Sequence, residues 1–256
     1  VSTVLYESVD HISYIYLNRP DRYNALNKEM LEDLLKVIEQ VENNDDRVLI
    51  ISGKGKAFCA GGDIGMMADF SDKVYYDNVM DTICAIAKKL YMMPKMVISA
   101  VQGSAAGLGL SLALTADYIV ANEDAKLGML FLGVGLAPDG GGHFWLQERI
   151  GTQRAKQFIW GMEQVKGEKA QAMNLVDVVT DQHALDHATK LGQRLQSKPL
   201  TSMVKTKFLY HEKQKEVLDY YLHAEKQTQW ELCHTMDHHE GVRAFLGKRK
   251  PVFVGE

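Results

Sequence analysis

Two segments rich in glycine and other small residues constrain this chain more than any other feature: KGKAFCAGGDI at 54–64 and AVQGSAAGLGLSLALTADY at 100–118. Each sits behind or within a short apolar run, residues 48–52 and 96–101, with the character of a strand buried on both faces. A buried strand that runs into a glycine loop and then a helix belongs to layered α/β architecture. Taken singly, each segment also has a packing explanation, because glycine permits turns and close helix approach.

Periodicity places the remaining elements around these two. Strands are predicted at 4–6 and 11–17, separated by an Asp-containing turn. Asn27 caps a helix over 28–41 whose stripe is Met30, Leu31, Leu34, Leu35, Ile38 and Val41. A helix follows at 73–90, then a tightly packed one at 106–116 and a strand at 118–121. After Gly142 the pattern turns helical, with segments at 144–149, 152–160, 167–173 and 184–195 and one strand at 176–179. Pro199 separates these from further helix ending at 240–246. The expected organisation is a core domain over residues 1–198 and a C-terminal helical region over 199–256.

Charge excludes some function classes. A net charge of -4 without a long basic stripe gives no reason to expect nucleic acid. Lys248, Arg249 and Lys250 still form a local cluster able to meet phosphates. Cys59, Cys84 and Cys233 are too few and too scattered for a disulfide framework or a zinc site, so no metal is expected. The opening VSTVLYESVD has no signal-peptide pattern, and Gln102 with three glycines interrupts the apolar stretch 96–116. A cytoplasmic protein with no membrane partner is the expectation.

Together the two glycine segments resemble those of the enoyl-CoA hydratase/isomerase, or crotonase, family. The resemblance extends to RPDRYNALN at 19–27, GLAPDGGG at 135–142 and EGVRAFLGKRKPVF at 240–253. It implies a crotonase-like α/β spiral of repeated ββα units with a C-terminal helical trimerisation region. It also implies homotrimers, often paired as hexamers, and an acyl-CoA substrate. Coenzyme A then serves as the thioester carrier, with no prosthetic group. In the family, one backbone N–H from each glycine segment meets the thioester oxygen, and the matching residues here are Gly62 and Leu108. Such paired donors favour an enolate over the ground-state carbonyl.

The family's hydratases hold water between two glutamates. The matching positions here are Ser111 and Phe131, and neither can exchange a proton near neutral pH. Asp139 instead resembles the acidic residue of a branch of enoyl-CoA isomerases, where one carboxylate removes a proton and returns it elsewhere. A second reading of Asp139 is a cap on the helix that begins near Gly141. His143 is read as a helix-start or surface residue, Cys59 as a packed thiol, Asp117 as a backbone anchor, and Glu123 and Asp124 as an exposed turn.

The resemblance puts coenzyme A near Arg22, Ala25, Ala60, Gly62, Asp63, Ile64 and Leu108, and near Phe245 and Lys248 from the C-terminal region. Candidates for the acyl pocket are Met66, Met67, Tyr75, Tyr76, Met80 and Phe131. The leading expectation is an enoyl-CoA isomerase. The alternatives are a hydratase, a related decarboxylase or hydrolase, and a non-catalytic acyl-CoA-binding protein.

Overall fold

The computed structural model describes residues 2–256. β1 (Val4–Val9) and β2 (Ile12–Leu17) form an antiparallel hairpin. Asp10 and His11 turn it with φ of 51° and 61°, a left-handed pair whose twist suits the flanking strands. α1 (Lys28–Glu42) begins where the Asn27 side chain accepts the Met30 N–H at 3.0 Å, and it buries the predicted stripe except for partly exposed Leu35. There follow β3 (Val48–Gly53), the short α2 (Ile64–Met67), α3 (Lys73–Tyr91) and β4 (Met96–Val101). Next come β5 (Ser104–Ala106), α4 (Leu108–Leu114), β6 (Tyr118–Asn122) and β7 (Lys126–Gly128). A 3-10 turn at Leu130–Val134 leads to α5 (Gly142–Ile150) and α6 (Thr152–Gly161). β8 (Val165–Lys166), α7 (Gly167–Ala172), β9 (Val178–Thr180), α8 (Ala184–Gln196), α9 (Leu200–Leu232) and α10 (Met236–Leu246) complete the chain.

Two sheets form separate layers of one α/β spiral. The larger has the order β1-β2-β3-β4-β6-β9, parallel throughout after the first hairpin. The smaller has the order β5-β7-β8, and single bridges Leu26–Gly62 and Cys59–Ala105 continue its layer toward the N-terminus. Each turn gives one strand to the large sheet, one extended piece to the small layer, and then a helix. This is the repeated ββα arrangement expected above.

Alternation along the strands divides the core. Ile15, Leu17, Leu49 and Ile51 face the side covered by α1, α3 and α4. Ile12, Tyr14, Val48, Ile50 and Ile98 face the other side, where Ala184, Ala188, Leu191 and Leu195 of α8 cover them.

Two predicted elements are corrected. Residues 106–116 are not a single helix, because Ala106 donates to Cys59 O at 3.1 Å and Gly107 to Gly128 O at 2.9 Å. Those bonds hold 104–106 as a strand, and α4 starts only at Leu108. The late strand is likewise displaced from 176–179 to Val178–Thr180, because Val176 N–H bonds back to Ala170 O.

α9 spans 33 residues after Pro199 and packs on α3, α5 and β4. Near its start, buried Lys207 donates to Asp117 Oδ2 at 2.8 Å and to Lys95 O at 2.9 Å, pinning the helix to the large sheet. Among the described residues no helix is long and apolar enough to cross a membrane.

Candidate active site

The small layer brings the two glycine segments together. Ala60 N–H donates to Tyr23 O, Leu26 N–H to Gly61 O, and Asp63 N–H to Leu26 O, all at 2.8–2.9 Å. Cys59 N–H reaches Ser104 O at 3.0 Å, which locks the first segment against the second. Gly61, at φ 109°, sits so close that a Cβ there would lie 2.8 Å from Ala106 O and 3.8 Å from Leu108 N. Gly109 rests on Cys59, whose carbonyl would be 2.3 Å from any Cβ. Small residues at these places are therefore a condition of the layer closing.

Gly62 and Leu108 both line a cavity of about 300 Å³. Among the described residues neither N–H has a backbone carbonyl acceptor. Leu108 opens α4, where N–H groups lack partners within the helix. The rest of the wall is mainly apolar. It includes four of the anticipated acyl-pocket residues, Met66, Met67, Met80 and Phe131, together with Phe70, Ile83 and Leu136. Tyr76 does not reach it. That ring is fully buried against Phe70 and Trp230, and its hydroxyl donates to Lys226 O. Tyr75 also lies outside the wall, beneath Lys28.

Asp139 is the single carboxylate in this wall among the described residues. Its Oδ2 accepts from Gln229 Nε2 at 2.9 Å. Its Oδ1 is buried and, among the described residues, is the one buried side-chain nitrogen or oxygen atom without a hydrogen-bond partner. Burial pushes its pKa up to about 7, and the nearby Glu225 adds to the rise while Gln229 and His143 oppose it. The capping role considered for Asp139 falls to another residue. No side chain of the local segment caps α5, and Glu225 of α9 accepts from Gly141 N–H and His143 N–H instead.

The family model described as enoyl-CoA hydratase/isomerase matches residues 7–256. The chain belongs to the enoyl-CoA hydratase/isomerase family. YhaR of Bacillus subtilis, named for the same family, is 42% identical over 242 residues, covering 94% of this chain and 95% of YhaR. The 1,2-epoxyphenylacetyl-CoA isomerase of Escherichia coli is 34% identical over 252 residues, covering 94% of each chain. A crystal structure of an enoyl-CoA hydratase from Mycobacterium avium subsp. paratuberculosis superposes with a TM-score of 0.90 at 28% identity, over 99% of both chains. These relatives carry both isomerase and hydratase names, so similarity establishes an acyl-CoA-processing family without choosing the reaction.

Within this family member, the two positions matched to hydratase glutamates hold no carboxylate. Ser111 is fully buried and donates to the Asp139 backbone carbonyl at 2.7 Å. Phe131 presents its ring to the cavity beside Gly107.

The residues anticipated around coenzyme A divide into two groups. Ala60, Gly62, Ile64, Leu108 and Phe245 are in the cavity wall. Arg22 and Lys248 stand exposed outside it, with Ala25 and Asp63 nearby on the outer edge of the loop layer. Asp63 caps α2 by accepting from Gly65 N–H at 3.0 Å, and it pairs with Arg19 at 3.0 Å. Arg19 also donates to Ala25 O, so it joins the two loops. In the sequence Arg19 stands out only as the first residue of the 19–27 motif.

Cys59 is a packed thiol: it donates to Asn24 O at 3.1 Å, and burial pushes its pKa up to about 12. Gln229 in the wall and Glu225 behind it have no counterpart among the sequence expectations, and Cys233 in the wall figured there only as one of three scattered thiols. They lie at spacings of four on a long, largely polar helix, where glutamate and glutamine read as a solvated face.

Proposed function

We propose that this chain is an enoyl-CoA isomerase that moves a double bond through a thioester enolate. The observation that carries this reading is Asp139, among the described residues the lone carboxylate, with an unpartnered oxygen, in a mainly apolar cavity that is also lined by Gly62 and Leu108. In the proposed step, the thioester oxygen sits between the Gly62 and Leu108 N–H groups. Asp139 takes a proton from the carbon next to the conjugated system, and the electron pair delocalises onto that oxygen as a dienolate. The protonated Asp139 then returns the proton to the other end of the three-carbon unit. No atom is gained or lost, and the carboxylate is regenerated.

A group titrating near 7 can both accept and return a proton at neutral pH. Among the described residues the cavity wall supplies no second carboxylate to hold a water for attack, which disfavours hydration by the two-glutamate route. Coenzyme A would lie along the Arg22–Ala25 and Ala60–Ile64 edges, with Phe245 and Lys248 near its outer part. The acyl group would enter the methionine-lined chamber. A homotrimer or hexamer belongs to the same proposal, and sedimentation velocity tests it.

The deciding experiment incubates the protein with matched 2-enoyl-CoA and 3-enoyl-CoA and separates the products by chromatography and mass spectrometry. Interconversion at unchanged mass, abolished in Asp139→Asn, is the expected result. A product heavier by one water would replace the isomerase reading with hydration. Retained coenzyme A binding with no turnover of either substrate would favour a non-catalytic acyl-CoA-binding protein.

A further inference from the structure

α9 and its C-terminal capping residue present Glu225, Gln229 and Cys233 on one face, since residues four apart in a helix align. This face grips the segment 137–143 at several points. Gln229 Oε1 accepts from Ala137 N–H at 3.1 Å, and its Nε2 donates to Asp139 Oδ2 at 2.9 Å. One turn earlier, Glu225 Oε2 accepts from Gly141 N–H at 2.8 Å and Oε1 from His143 N–H at 3.1 Å. His143 Nδ1 lies 2.8 Å from the same Oε1. The Glu225 side chain is only 2% exposed.

A buried acidic side chain at this place has two consequences. The first turn of α5 has unpaired N–H groups and a positive dipole end, which attract the nearest carboxylate. Without Glu225 that carboxylate would be Asp139, two residues before Gly141. With Glu225 in place, Asp139 Oδ1 has no N–H to bond. The second consequence is electrostatic, because two carboxyl groups in one dry region resist both being ionised.

The surroundings single out this coupling. The titratable groups facing Asp139 are Glu225 of α9, His143 of α5, and Tyr76 and Cys84 of α3, both kept protonated by burial. Cys233, at the C-terminal end of α9 and also kept protonated, shares the cavity wall. α4 and the 3-10 turn contribute no titratable side chain, their sequences being LGLSLAL and LFLGV. Asp77 and Asp81 of α3 are taken up by Lys226 of α9.

We propose that Glu225 is a positioning residue for the proton shuttle: it caps α5 from outside, so that Asp139 Oδ1 stays free for proton exchange, and its buried charge tunes that exchange. The proposal rests on the reading of Asp139 as the shuttle, and it predicts a coupling that does not need turnover to be seen.

The experiment follows the Asp139 carboxyl by ¹³C NMR through a pH titration, its signal assigned by its absence in Asp139→Asn. The pH profile of kcat/KM with a 3-enoyl-CoA is measured alongside. In Glu225→Gln the NMR midpoint and the acid limb of the profile are expected to fall together, by on the order of a pH unit. Glu225→Asp, which restores the charge, is expected to bring both back toward the original values. His143→Gln removes the partner that offsets Glu225 and should move the midpoint upward. His143 is partly exposed, so this variant remains informative if Glu225→Gln does not fold. A folded Glu225→Gln with an unmoved midpoint overturns the proposal, and so does an unmoved His143→Gln if the first variant is lost. If the midpoint moves as expected but the parent protein converts no enoyl-CoA, the isomerase reading falls while the Glu225–Asp139 coupling stands.

Discussion

The Gln229 side-chain amide donates to Asp139 Oδ2 at 2.9 Å and leaves Oδ1 as the oxygen without a partner. Gln229 thereby chooses between two chemically equal atoms. It also stabilises the ionised form, since a hydrogen bond to a carboxylate opposes the rise caused by burial. In Gln229→Leu the Asp139 pKa should climb further above 7, so the acid limb of the isomerisation profile moves to higher pH. Turnover at pH 7 should drop about tenfold and recover in part at alkaline pH. The variant should also lose ~1–3 kcal/mol of stability, because Ala137 N–H keeps no acceptor. A pH–rate series with chemical denaturation checks both effects, and a limb moving toward acid would refute the first.

Asp139→Asn separates activity from stability. Loss of the proton carrier should lower kcat by about 10²–10⁴-fold, the range for general acid–base groups. Stability should respond in the opposite sense. Asp139 has a folded pKa of about 7, above its ordinary 3.8, so between these values the folded state holds the extra proton. Its stabilising contribution is complete below about pH 4 and is lost as pH rises through 7. The neutral asparagine avoids that loss. Its advantage should be near zero at pH 4 and grow to at most ~4 kcal/mol above pH 7. Thermal unfolding of both proteins across pH 4–9 tests the trend, and a variant less stable than the parent at pH 8 would contradict it.

How far the sequence reveals the site depends on which element a residue occupies. Gly62, Leu108 and Asp139 stand in local motifs that resemble those of the family, and all three line the cavity, while the close approaches that demand glycine fall on neighbouring Gly61 and Gly109. The large sheet was legible for a related reason: buried parallel strands read as unbroken apolar runs. Glu225, Gln229 and Cys233 were not legible, because nothing local distinguishes them on a helix made mostly of polar residues. Their partners lie 82–92 residues away, or only across the cavity. The helix expected at 106–116 failed for the same cause in reverse. Ala106 and Gly107 have helical neighbours in sequence, but their N–H groups are claimed by Cys59 and Gly128.

The buried pair Lys207–Asp117 anchors the start of α9, and through that helix the residues that grip Asp139. Asp117 Oδ2 accepts from both Lys207 Nζ and Val97 N–H at 2.8 Å. Lys207→Met would leave the Asp117 charge uncompensated, and removing one partner of a buried pair typically costs ~3–5 kcal/mol. A double variant, Lys207→Met with Asp117→Asn, should regain part of the loss because the orphaned charge is gone. Denaturation midpoints of the three proteins check this. A single variant as stable as the parent would mean that the pair contributes nothing to holding α9.

The proposed role of Leu108 concerns its backbone alone, and the fold permits a variant that removes only the N–H. Leu108 is the first residue of α4, a position where proline is tolerated because the N–H has no partner within the helix. Leu108→Pro should therefore fold while deleting one donor to the enolate oxygen. The expected loss in kcat is about 10²–10³-fold, the usual effect of one oxyanion donor. KM should change far less, because the bond strengthens mainly as charge develops. Leu108→Met is the matched control. It keeps the amide and nearly the same volume against Gly140, so its activity should stay within a few-fold of the parent. Circular dichroism first confirms that both variants are folded. If folded Leu108→Pro retained the parent kcat, the enolate oxygen would not be held by this amide. If Leu108→Met lost as much activity as the proline variant, the leucine side chain, rather than its N–H, would be what the reaction requires.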